Sequence, residues 1–169
     1  REYVIPGDYS SAAFALGAGA ISGKVTVTGL DPNDVQGDRL IIDFLREFGA
    51  DISISGDSVT VVKSELEGIN ADIGNCPDLF PILAVIGTQA EGVTTLYNAA
   101  HLKHKESDRI AAVVTFLRNM GADIDETDDG CIIRGKCNLT GCTVNPNGDH
   151  RILMADGVAA ISASGETII

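Results

Sequence analysis

Phe44-Leu45-Arg46-Glu47-Phe48-Gly49-Ala50-Asp51-Ile52 returns 72 residues later as Phe116-Leu117-Arg118-Asn119-Met120-Gly121-Ala122-Asp123-Ile124. In both copies the residues before the glycine carry a helical stripe. Ile41, Phe44, Leu45 and Phe48 fall at i, i+3, i+4 and i+7, as do Ile110, Val113, Val114 and Leu117. Each set predicts an amphipathic helix packed on one side. Gly49 and Gly121 stand where a helix C-terminus favours a residue free to take positive φ. After each glycine come two short runs joined by a tight turn. Residues 51–55 precede 58–63 across Gly56-Asp57, and 123–127 precede 131–134 across Asp129-Gly130. Both are hairpin signals.

A second landmark has the same period. Pro6-Gly7-Asp8, Cys76-Pro77-Asp78 and Asn147-Gly148-Asp149 each open an apolar stretch, with the aspartates 70 and 71 residues apart. The stretches Ser11 to Ile21, Leu79 to Ala90 and Ile152 to Ala163 are rich in Ala and Gly and apolar nearly all round, which marks buried helices. Each runs into a strand, at 24–28, 93–97 and 166–169. The unit thus reads strand, buried helix, strand, amphipathic helix, two strands. A fixed long period means a fold built from copies of one supersecondary unit. The fold class predicted is α+β, with pseudo-symmetric βαβαββ units around central helices. Residues 1–169 form one incomplete domain with units of about 1–68, 69–140 and a truncated 141–169. The chain opens on Arg1 and ends inside a predicted strand, and is expected to come from a longer protein.

Composition narrows the function. The chain is 44% hydrophobic and 21% charged, with a formal net charge of −12. A general nucleic-acid role is not expected, because backbone phosphates need a basic face. No run approaches the roughly 20 apolar residues of a membrane-crossing helix. Cys76, Cys131, Cys137 and Cys142 show no C-x-x-C spacing and read as free thiols of a reducing compartment, hence a cytoplasmic protein. His101-x-x-His104 lacks a third ligand at a convincing distance, so no metal site is expected.

Two stretches could carry chemistry. Lys103-His104-Lys105-Glu106-Ser107-Asp108-Arg109 enters the second amphipathic helix. Cations at a helix N-terminus suit a phosphate or carboxylate, although Ser107 or Asp108 could simply cap the helix. Arg151 opens a buried helix, where an anionic partner is required. That partner could be a ligand or one of the chain's own carboxylates. Asp8, Asp78 and Asp149 all precede buried helices, so N-capping is their shared expectation.

Taken together, these elements resemble the enolpyruvylshikimate-phosphate synthase family over essentially the whole chain. Lys105-Glu106-Ser107-Asp108-Arg109 resembles its K-E-[ST]-D-R motif, Asp149-His150-Arg151 its D-H-R, Gly7-Asp8-Tyr9-Ser10-Ser11-Ala12 its G-D-x-S-S-A, and Pro77-Asp78 its P-D. The resemblance implies transfer of an enolpyruvyl group from phosphoenolpyruvate to the 5-hydroxyl of shikimate 3-phosphate, with no cofactor. It implies Asp78 as general base, and Glu106 as acid and base at the phosphoenolpyruvate methylene. It gives Lys105 a contact to the shikimate phosphate, and Arg109 and Arg151 the phosphoenolpyruvate anions. His150 and His101 become further substrate contacts. It also implies a second domain that closes over the substrates, a monomer, and a chain inactive alone. The UDP-N-acetylglucosamine enolpyruvyl transferases share the fold, but the K-E-S-D-R and D-H-R pair points away from them. A non-catalytic anion-binding repeat domain would scatter Lys105, Glu106, Arg109 and Arg151 over different faces.

Overall fold

A computed structural model describes residues 5–169. The strand expected ahead of the first buried helix falls on 1–4, outside the described residues. Asp8 accepts the N–H groups of Ser10 and Ser11, so the first central helix, α1 (Tyr9–Ser22), starts two residues earlier than expected. It runs into β1 (Lys24–Val27), then α2 (Ile41–Glu47) and the hairpin β2 (Asp51–Ser55) and β3 (Ser58–Val62). The second unit is β4 (Asn70–Asp72), α3 (Phe80–Thr88), β5 (Gly92–Tyr97), α4 (Arg109–Asn119), β6 (Asp123–Thr127) and β7 (Gly130–Gly135). The last helix is α5 (His150–Ser162). The mixed helices and sheets make this an α+β fold.

The repeated motif ends both amphipathic helices in one way. Gly49 and Gly121 have φ of 88° and 92°. Gly49 N–H donates to Arg46 and Ala50 N–H to Leu45, and Gly121 and Ala122 repeat this with Arg118 and Leu117. This 5→2 and 6→1 pairing satisfies the last carbonyls and turns the chain into the hairpin.

The hairpins build two sheets. One has the order β1-β3-β2 and is antiparallel, and the other has the order β4-β5-β7-β6. In the second, β4 and β5 are parallel, a pairing that needs a crossover connection, here supplied through α3. The third unit starts the same way: Thr140 bridges Ser164 and Thr143 bridges Ile168, both parallel and flanking α5. The strand expected at 166–169 is therefore only one isolated bridge, at Ile168, with a second at Ser164 just before it.

Helices α1, α3 and α5 pack on one another between the sheets. Every residue of α3 is buried, and its one polar side chain, Thr88, donates its hydroxyl to the Val85 carbonyl. The expectation for Asp78 needs correction. Asp78 caps no helix: it lies inside a 3-10 turn, Pro77–Leu79, that leads into α3 without a side-chain cap. Its carboxylate is left for other partners.

Candidate active site

Five of the seven residues expected at the site meet around Asp78. Asp108 caps α4 by accepting from Ala111 N–H, which sets Arg109 as the first helical residue. Arg109 shares the stripe of Val113 and Leu117, at i, i+4 and i+8, and is carried inward to 1% exposure. A buried guanidinium needs carboxylates at hydrogen-bond distance, and three are present. Nε donates to Asp149 Oδ2 at 2.7 Å, Nη1 to Asp78 Oδ1 at 2.6 Å and Nη2 to Glu106 Oε2 at 2.7 Å. A further contact runs from Nη2 to Asp149 Oδ1 at 3.3 Å. Arg109 is thus the hub that ties the N-terminus of α5, the turn before α3 and the start of α4 together.

Arg151, the second residue of α5, places Nη2 3.0 Å from Asp78 Oδ2. Lys105 Nζ stands 3.9 Å from Asp78 Oδ1. Asp78 is therefore approached by three cations from three elements. Among the described residues, Arg151 Nη1 is buried and has no hydrogen-bond partner. Glu106 is exposed, and its one ion pair among the described residues is to the buried Arg109. His101, on the 3-10 turn Ala100–His104, and His150, at the start of α5, are both exposed.

Asp149 does more than cap. It accepts Arg151 N–H as N-cap and also Ser107 Oγ at 3.2 Å and Arg109. Burial alone would push its carboxyl up, but the Arg109 hydrogen bond, the Arg151 N–H, the Arg109 charge and Ser107 outweigh it and hold the group below the usual range. Arg109 is stabilised as a cation in return: burial opposes its charge, and Asp149 and Asp78 more than offset that.

A hollow of about 200 Å³ opens beside Asp78, lined by Ser10, Gln36, Gly37, Asp38, Asn75 and Pro77. A larger one of about 520 Å³ runs along α4 to residues 143–147, and neither hollow has a cation in its wall. The four cysteines are free. Burial pushes Cys76 and Cys131 up to about 12, which leaves them as inert thiols.

Comparison with known proteins then decides the family. The family model described as EPSP synthase (3-phosphoshikimate 1-carboxyvinyltransferase) matches residues 1–169. The chain belongs to the EPSP synthase family. A 3-phosphoshikimate 1-carboxyvinyltransferase of Methanocorpusculum labreanum is 52% identical over 165 residues, which is 98% of this chain and 39% of that relative. One from Clostridium novyi is 43% identical over 169 residues, all of this chain and 39% of the relative. The solved EPSP synthase of Acinetobacter baumannii superposes with a TM-score of 0.83 at 32% identity, covering 95% of this chain and 41% of the other. The chain thus spans about 40% of the length of the EPSP synthases it matches. Of the K-E-S-D-R and D-H-R residues, Lys105, Glu106, Ser107, Arg109, Asp149 and Arg151 meet at the cluster, while Asp108 caps α4 and His150 is exposed.

Sequence reasoning missed two features of the site. The double duty of Asp149 was hidden behind its capping role, and Asp38 was not singled out at all. The burial of Arg109 left a signal, since it continues the stripe of Val113 and Leu117.

Proposed function

We propose that this chain supplies part of the active site that transfers the enolpyruvyl group of phosphoenolpyruvate to the 5-hydroxyl of shikimate 3-phosphate. It does so in a two-domain protein that acts as a cytoplasmic monomer, the second domain closing over the substrates. The observation that carries this reading is the meeting of Asp78, Lys105, Glu106, Arg109 and Arg151 at one end of the central helices, with one guanidinium nitrogen unclaimed.

The chemistry needs a proton taken from oxygen and one delivered to carbon. Asp78 accepts the proton of the 5-hydroxyl as that oxygen adds to C2 of phosphoenolpyruvate, while Glu106 protonates C3. In the second half Glu106 takes a proton back from C3, the double bond reforms, and phosphate leaves with the proton that Asp78 had taken. Two carboxylates in different surroundings suit these roles: Asp78 is half-buried among cations, and Glu106 is exposed. Arg151 Nη1 takes a phosphoenolpyruvate oxygen. Arg109 can do so once Glu106 swings toward C3, since that move frees part of its fork. Lys105 faces the shikimate ring and phosphate, and His101 and His150 contact the substrates from the rim.

The test is acceptor choice. The two-domain protein with phosphoenolpyruvate and shikimate 3-phosphate is expected to release phosphate steadily, and UDP-N-acetylglucosamine is expected not to replace the shikimate. Release with the nucleotide sugar alone would assign the chain to the other branch of enolpyruvyl transfer. Release with neither acceptor would favour an anion-binding module.

A further inference from the structure

Lys105, Arg109 and Arg151 all face Asp78, so the proposed base stands in a strongly positive setting. A negative charge held nearby would balance that field.

The first unit delivers a candidate. Asp38 is only 7% exposed and lines the same hollow as Asp78. The segment that carries it is fixed at three consecutive residues. Gln36 Oε1 accepts the Tyr9 N–H, and its Nε2 donates to the Gly7 carbonyl, both at 3.0 Å. Gly37 lies against the backbone before Pro77, where a Cβ would come within 2.2 Å of the Asn75 carbonyl oxygen, so any side chain there would push the two segments apart. Asp38 itself accepts the Ser10 hydroxyl. No lysine or arginine forms an ion pair with it among the described residues.

We propose that Asp38 is a positioning residue for proton removal by Asp78: a fixed, buried carboxylate whose charge offsets the cations around the base. This rests on the functional reading above. The groups facing Asp38 are Asp8 and Ser10 at the start of α1, Asp78 and the Cys76 thiol on the turn before α3, and Arg151 on α5. Burial raises Asp38 above the usual carboxylate range, while the Ser10 hydroxyl and Arg151 favour its charge. Ser10 is therefore the direct hydrogen-bond partner that favours the charged form of Asp38.

The experiment is the pH dependence of kcat/KM for phosphate release by the two-domain protein, with Asp38→Asn and Ser10→Ala. Asp38→Asn is expected to move the acid limb to lower pH by about half a unit or more, and to lower turnover at neutral pH by about threefold, as a weaker base should. Ser10→Ala keeps the carboxyl but removes the hydroxyl, so the same limb moves the same way by less. That milder change also serves if Asp38→Asn fails to fold. An acid limb unmoved in the variants that fold, in an enzyme that Asp78→Asn still disables, overturns the role of Asp38 and leaves the functional reading intact. A wild-type protein that does not turn over these substrates overturns both.

Discussion

Replacing Arg109 by methionine is expected to lower the stability of the chain by about 3–5 kcal/mol, read as a fall in the urea midpoint at unchanged slope. Methionine fills much of the stem volume, so the loss reports the guanidinium and not a cavity. The carboxylate most affected is Asp149, which is 1% exposed and would keep only Ser107 and the Arg151 N–H. A buried charge stripped of its counter-ion costs far more than an exposed ion pair contributes. Arg109→Lys is expected to fall in between, because an ammonium cannot reach Asp78, Glu106 and Asp149 from one fork. A loss below about 1 kcal/mol for the methionine variant would mean that Arg109 does not hold the three units together.

Asp156→Asn is expected to stabilise the chain, but only where Asp156 can ionise. Asp156 is fully buried on α5, and among the described residues neither carboxylate oxygen has a hydrogen-bond partner. Burial pushes the group from 3.8 up to about 7. Below pH 3.8 the folded and unfolded chains both hold the proton, and Asp156 costs nothing. Between there and pH 7 the unfolded chain releases it first, so stability falls as pH rises, and above 7 the loss is complete. About three pH units at about 1.4 kcal/mol each amount to about 4 kcal/mol. Asparagine leaves an unpaired amide, so a gain of about 2–4 kcal/mol at pH 8 is expected, shrinking to nothing near pH 4. Thermal unfolding of both proteins across this range isolates Asp156, because the paired carboxylates Asp8 and Asp149 titrate alike in each. Parallel curves at every pH would show that the carboxylate finds a partner.

How far these features could be read ahead follows from what each depends on. The helix ends at Gly49 and Gly121 were legible because a Schellman turn is a local event with a residue-level signature. The hairpins after them were legible for the same reason. Asp78 was misread as a cap because Pro77 places a 3-10 turn where a capped first turn was expected. Its partners lie about 30 and 70 residues away, on α4 and α5. The motif residues were picked out in sequence, yet that Arg109 is a shared counter-ion of three carboxylates depends on how the helices meet. Asp38 left no signal, since Gln36-Gly37-Asp38 acquires meaning only when α1 and the Pro77 turn close on it. Asp156 is the extreme case: a missing partner is a property of the packing alone.

The most direct test of the central claim is phosphate release from phosphoenolpyruvate and shikimate 3-phosphate by the two-domain protein carrying Asp78→Asn. Turnover is expected to fall by about 10²–10⁴-fold, as for loss of a general base, in a protein that still binds shikimate 3-phosphate through Lys105. Turnover within about threefold of wild type would contradict it, leaving the charged cluster as the clasp of the three units and not their catalytic centre.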